Sequence, residues 1–342
     1  MRLVRFRARV ERDDMMRRSG LTLGSALLIV LAAGCSVPGT SPGQAAGSQE
    51  ITVAAVPDVA NAPLQVAVKD GLFTEKHVNV TVRTYQTLQQ AYAALASGQA
   101  QVISGDYAGL LYMQAHVAQA RLQLIADGYD ATPGVMEVLT LPGSAITAPQ
   151  DLEGQTVATP PTELAPYSAD APYNSETLAT EAVLQSDGVS PPGVQWKAMA
   201  PGSMISALRD HTVSAIVTTQ PYILQAETEL GAVELLDACS GVTASLPLSG
   251  YFTTAGYARG HAAALQDFRS ALNAATASTA QLGTVRTVLR SLPGMSSREA
   301  ALVTIGQYPT FLSVGQVQRV ADLMYGTGMI TTTISVKKLV FR

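Results

Sequence analysis

Short apolar runs alternate with stretches of helical period from residue 51 to residue 236, and that alternation confines the chain to parallel strands covered by helices. The run 51–56 ends at Pro57-Asp58 and reads as a buried strand opening into a loop. Asn61 is expected to cap a helix carrying Leu64, Ala67 and Val68 on one face and stopping at Gly71. Val78, Val80 and Val82 alternate as a half-buried strand does. Thr87-Leu88-Gln89-Gln90 fits a capping box, with Leu88, Ala91 and Leu95 on one stripe and Gly98 past the last turn. Val102-Ile103-Ser104 is a third strand, Gly105-Asp106 opens another helix, and 122–126 is a fourth strand.

The same grammar returns in the second half. It predicts strands at 156–159, 194–197, 213–218 and 233–236. Between them fall a helix capped by Asn174 or Ser175 and ending before Gly188, then helices at 203–210 and 221–230. The segment 137–141 reads as an extended crossing between the halves, and 251–254 as the returning one. From His261 to about Gly326 the periods are helical, and these helices are expected to pack back on the first half. The tail 331–342 is polar, then apolar, without a period that assigns it.

The opening of the chain is different in kind. Arg17 and Arg18 precede about a dozen apolar or small residues within LTLGSALLIVLAAGC (21–35), the layout of a secretory signal. The run is too short to span a membrane, which takes roughly 20 apolar residues. Its close, Leu31-Ala32-Ala33-Gly34-Cys35, resembles a bacterial lipobox, and that resemblance implies cleavage before Cys35 and diacylation of its thiol. The stretch 36–50 (SVPGTSPGQAAGSQE) is a flexible tether of about 20 Å root-mean-square span. With Cys35 lipidated, Cys239 stands alone, which excludes a disulfide and any cysteine-built metal site in the mature chain. The four histidines are scattered without an H-x-x-x-H pair. Lys and Arg number 22 against 26 Asp and Glu, seven of the arginines fall before residue 35, and no basic cluster follows, so nucleic acid is not an expected partner. There is no G-x-S-x-G, P-loop or H-E-x-x-H, and Tyr325-Gly326-Thr327-Gly328 lacks the third glycine of a dinucleotide loop.

Five motifs in register carry a family resemblance. They are Ala62-Pro63-Leu64 through Lys69-Asp70-Gly71-Leu72-Phe73, Ala94-Leu95-Ala96-Ser97-Gly98-Gln99, and Asp151-Leu152-Glu153-Gly154-Gln155-Thr156-Val157. Gln220-Pro221-Tyr222 and Gly250-Tyr251 complete the set. In this order they resemble the extracytoplasmic solute-binding proteins of ABC importers, in the branch for nitrate, sulfonate, taurine and thiamine-pyrimidine precursors. Two departures stand out: Gln101 where the family usually has an acid, and a long loop at 160–173 containing Tyr167 and Tyr173.

The resemblance implies an α/β, two-lobed periplasmic-binding-protein-like fold of type II, with two crossing strands as hinge. The expected division is a signal peptide at 1–34 and a lipidated cysteine with tether at 35–50. One lobe then takes 51–138 plus about 250–330, a second takes 139–249, and 331–342 remains as tail. The implied protein is a lipid-anchored monomer on the outer face of the cell membrane. It captures a small nitrogen- or sulfur-containing molecule in the cleft between the lobes and hands it to a membrane permease and its ATPase, with no cofactor, metal or catalytic residue. A sensor lipoprotein without transport, or an enzyme on the same fold, is the alternative.

In such a fold the ligand lies at the carboxyl ends of the strands. Those ends and the crossings hold Asp58, Asn61, Ser104, Asp106, Tyr107, Glu137, Asn174, Ser175, Thr177, Thr219, Gln220 and Tyr251 as candidate ligand-binding residues. Several have a plainer role open to them: Asn61, Asp106, Asn174 and Ser175 as helix caps, Tyr251 as core. No Lys or Arg falls in these loops. Asp58, Asp106 and Glu137 would repel an anion, and the tyrosines can stack. The expected ligand is therefore a neutral or weakly basic aromatic nitrogen compound, such as a pyrimidine or thiamine precursor. Hinge motion is expected near 137–140 and 249–252.

Overall fold

The computed structural model describes residues 48–117, 119–161, 173–189, 193–279, 282–291 and 295–342. Cys35, the signal segment, most of the tether and Tyr167 lie outside these residues. The chain first runs β1 (Gln49–Ala55), α1 (Ala62–Lys69), α2 (Leu72–Glu75), β2 (Val78–Thr84), α3 (Leu88–Ala96), β3 (Val102–Asp106), α4 (Tyr107–His116) and β4 (Leu122–Asp130). It continues through β5 (Met136–Thr140), β6 (Thr156–Thr159), α5 (Ser175–Ser186), β7 (Gln195–Ala198), α6 (Pro201–Arg209), β8 (Ala215–Thr219), α7 (Tyr222–Leu230) and β9 (Val233–Asp237). The remainder is β10 (Pro247–Thr254), α8 (Ala255–Gly260), α9 (Ala262–Ser278), α10 (Leu282–Leu289), α11 (Ser297–Leu302) and α12 (Val314–Gly326). Among the described residues no helix is long and apolar enough to cross a membrane.

Two five-stranded sheets result, ordered β2-β1-β3-β10-β4 and β7-β6-β8-β5-β9. In each, the reversed strand is the one arriving from the other sheet: β10 is antiparallel to β3 and β4, and β5 is antiparallel to β8 and β9. The remaining strands run the same way, so their carboxyl ends collect on one side of each sheet. The chain changes sheets at the links 131–135 and 238–246, earlier than the expected 137–141 and 251–254. The reason is burial on both faces: β5 is buried at all five positions, and β10 at all but its last. A strand covered on both sides loses the alternation that would separate it from a crossing segment.

Local chemistry explains the helix starts. Thr87 Oγ1 accepts from the Gln90 N–H at 3.3 Å, while Gln90 Oε1 reaches back to the Gln86 N–H at 3.2 Å. Gly71 follows α1 at φ +73°, where an L side chain is strained. Asn61 makes no side-chain cap to α1. The chain enters α1 through a 3₁₀ turn, Val59–Asn61, capped instead by Asp58, which accepts from Ala60 N–H at 3.1 Å. Gly250 has a packing reason: a Cβ there would sit 2.5 Å from the Tyr107 hydroxyl, which crosses β10 at that point.

The C-terminal helices pack on the first sheet, with Phe268 of α9 stacked on Phe73 of α2 at 5.0 Å. The tail has a definite place. Leu124 N–H donates to Leu339 O (2.8 Å) and Phe341 N–H to Leu124 O (2.9 Å), so the tail lies along the outer edge of β4. Phe341 is buried beneath it, with the Arg269 guanidinium 5.6 Å from its ring.

Candidate functional site

The carboxyl ends of the parallel strands face a cavity of about 700 Å³, within the size range of small-molecule sites. One wall comes from the loops after β1 and β2 and the end of β3; the other from the loops after β6 and β7, the start of α5 and the end of β8. At the floor the first link contributes Val135, and the strands that the two links enter contribute Met136 of β5 and Leu248 and Ser249 of β10.

Of the expected residues, Asp58, Asn61, Ser104, Asp106, Asn174, Ser175 and Thr219 line this cavity. Asn61 and Ser104 are buried supports: Ser104 donates to Asn61 Oδ1 at 2.5 Å, and Asn61 Nδ2 donates to Val56 O at 2.7 Å. Asn174 holds the start of α5, accepting from Thr177 N–H at 2.9 Å and donating to Pro160 O at 2.8 Å. Asp106 does more. Its carboxylate accepts from Gly109 N–H of α4 (3.1 Å), from Ser175 N–H of α5 (2.7 Å) and from the Ser175 hydroxyl (3.0 Å). One side chain thus ties the helix starts of the two lobes together. Beside it, Tyr112 of α4 stacks on Tyr173 at 3.9 Å.

Tyr107, Glu137, Thr177, Gln220 and Tyr251 lie off the lining. Tyr107 is fully buried and donates to Asp127 at 2.9 Å. Tyr251 packs edge-on to Phe268. Thr177 closes the cap of α5 with Asn174. Gln220 is buried ahead of α7, and Glu137 sits within β5, opposite Thr218 and Asp237. With Tyr173 stacked on Tyr112, Tyr129 is the one tyrosine on the wall among the described residues. Among the described residues, aromatic stacking is therefore less available to a ligand than the sequence implied.

Residues the sequence reading passed over include Glu176, Leu88, Met136, Met199 and Leu248. Glu176 was discoverable as an acid in the first turn of a capped helix; the apolar residues look like any core.

The wall is acidic. Burial pushes Asp58 up, Asp106 up to about 6, and Glu176 up to about 8, with Asp106 and Asp58 adding repulsion at Glu176. No Lys, Arg or His lines the cavity among the described residues, and 162–172 contains none in its sequence. Among the described residues no group of three or more His, Cys, Asp or Glu is arranged to hold a metal. Cys239 lies in the second link, where burial and Asp237 push its thiol up to about 12, so it stays protonated near neutral pH.

A C-terminal strap braces the floor. Gly306 N–H donates to the Tyr129 hydroxyl (2.6 Å), Tyr308 Oη to Val59 O (2.8 Å), and Arg319 to Ala244 O in the second link. Gln225 of α7 donates to Glu299 of α11 at 3.0 Å, joining the strap to the second lobe.

A sequence model described as NMT1/THI5 like matches residues 59–281, more than half of the chain. No curated protein is significantly similar in sequence. Among solved structures, the alkanesulfonate-binding protein SsuA from Xanthomonas axonopodis pv. citri, bound to MOPS, is 19% identical with a TM-score of 0.67. The match covers 87% of this chain and 100% of that one. The periplasmic aliphatic sulphonate binding protein SsuA from Escherichia coli is 17% identical at a TM-score of 0.66, covering 86% and 97%. The desulfurization enzyme DSZB is 14% identical at 0.64, covering 85% and 96%, so the fold serves catalysis as well as binding. At these identities the likeness shows the fold: an α/β periplasmic-binding-protein fold of two lobes, each on a mixed five-stranded sheet.

Proposed function

Because the chain belongs to the NMT1/THI5-like family, we propose that it is the solute-binding component of an ABC importer, closing its two lobes on a small molecule. The observation that carries this reading is the cavity itself, walled by strand ends from both sheets and bridged by the Asp106–Ser175 bonds. A ligand touching both walls favours the closed form over the open one, and the closed form is what a permease recognises. Motion is assigned to the links 131–135 and 238–246, which therefore mark the lobe boundaries. The solute is a small nitrogen compound with an apolar body, matching a wall of Val, Leu and Met with a few polar groups. Signal cleavage and lipidation at Cys35 place the protein on the outer face of the membrane, where the tether lets it meet the permease and its ATPase repeatedly.

The test is a thermal shift of the full chain in mild detergent against pyrimidines, thiamine, taurine, alkanesulfonates and nitrate. A solute at 100 times its Kd adds about 2.7 kcal/mol, read as a rise of roughly 5–10 °C at about 2–4 °C per kcal/mol. No rise with any compound, at any concentration reached, counts against a solute-binding role. The anchor is checked in cells before detergent is added: C35S is expected to leave the membrane fraction and to lose label from an alkyne fatty acid.

A further inference from the structure

In a cleft of this kind the start of a helix on the wall is the natural seat for an anion, because free N–H groups and the helix dipole point at it. Here that seat is taken. The Ser175 N–H and hydroxyl at the start of α5 are both bonded to the Asp106 carboxylate, and the Thr177 N–H is bonded to Asn174 Oδ1. The protein has placed its own anion there, held from the other side by Gly109 N–H of α4. Glu176, the next residue of α5, and Asp58 add two more carboxyls to the same wall, with no basic side chain among the described lining residues to balance them.

Resting on the reading of this cavity as the solute site, we infer that the cleft selects organic cations: a protonated amine or amidine whose positive centre is held by Asp106, Glu176 and Asp58. Val59, Leu88, Met136, Met199 and Leu248 supply the apolar surface for the rest of such a molecule. Asp106 determines the charge preference twice, by contributing negative charge and by denying an anion the N–H group it needs. Burial raises the affinity of Asp106 and Glu176 for protons, and at Glu176 the neighbouring Asp106 and Asp58 add to it.

The experiment is calorimetry on the full chain in mild detergent at about pH 8, with three scaffolds (methyl, benzyl and pyrimidinylmethyl), each as amine, alcohol and sulfonate. The amine of the best-fitting scaffold is expected to bind about ten- to hundredfold tighter than its alcohol, with the sulfonate weakest. In D106N and in E176Q the amine is expected to weaken about tenfold more than its alcohol does, and D106N narrows the gap between amine and sulfonate. The two variants are independent, so one that fails to fold leaves the other to decide. A sulfonate binding as tightly as its amine overturns the inference and leaves the solute-binding reading standing. Silence from all nine compounds overturns both.

Discussion

Tyr107 and Asp127 show how strongly a single pair can depend on its surroundings. The phenol is fully buried, the carboxylate nearly so, and the 2.9 Å hydrogen bond is made away from solvent. Burial, then the charge of Asp130, pushes Asp127 up to about 7. Y107F removes the donor and leaves a buried acceptor with less company. The expected cost is about 1–3 kcal/mol in a urea titration, larger above pH 7, where Asp127 is ionised, than below it. A cost that does not grow with pH would mean Tyr107 contributes by packing alone. At this scale the sequence was only partly readable. Strand ends announce which polar residues face a cleft, which is why Asp58, Asp106 and Ser175 could be named in advance. They do not announce which side of the strand a residue takes, and so Tyr107 and Tyr251 turn into the core instead.

At the scale of elements, helices were legible wherever a cap or a closing glycine marked them, as at Thr87 and Gly71. Strands β5 and β10 were legible as extended chain but not as sheet strands, because burial on both faces removes the alternating signal. The tail was illegible for another reason: its partner, Leu124, is more than two hundred positions away, and nothing local encodes that pairing. Its role is now testable. Exposed strand edges invite pairing with another chain, and the tail covers the edge of β4 while burying Phe341. Removing 331–342 is expected to lower the melting temperature and produce a concentration-dependent dimer or aggregate on gel filtration. F341A alone should cost about 3–5 kcal/mol without changing the oligomeric state. A truncated chain that stays monomeric would remove the edge-covering role.

At the scale of the whole molecule, the carboxyls with raised pKa outnumber those lowered among the described residues. Asp106 and Asp130 rise to about 6, Asp127, Glu137 and Glu181 to about 7, and Glu176 to about 8, each first through burial. Such a group binds its proton more tightly folded than unfolded, so its stabilising effect is lost as pH rises from near 4 through the folded value. Asp151 and Glu299, lowered at the surface by local hydrogen bonds, act in the opposite sense. The expected result is a melting temperature highest near pH 5 and lower by roughly 5 °C at about pH 8. A bound cation is expected to recover part of that loss, because it restores the positive charge the protons supplied. A melting temperature that climbs steadily from about pH 5 to about pH 8 would contradict the assignment of these groups.

The place of β10 at the interior of the first sheet, between β3 and β4, also sets a schedule for folding. β3 and β4 cannot be joined into one sheet until residue 254 exists, although both are made in the first 130 residues. At roughly 5–20 residues per second of synthesis, the amino-terminal lobe waits about 6–25 s for its missing strand. During that interval the emerging chain has no finished sheet to lock it into shape. For a chain proposed to be exported through a membrane, a topology that postpones its own completion keeps the thread slack until the needle has passed.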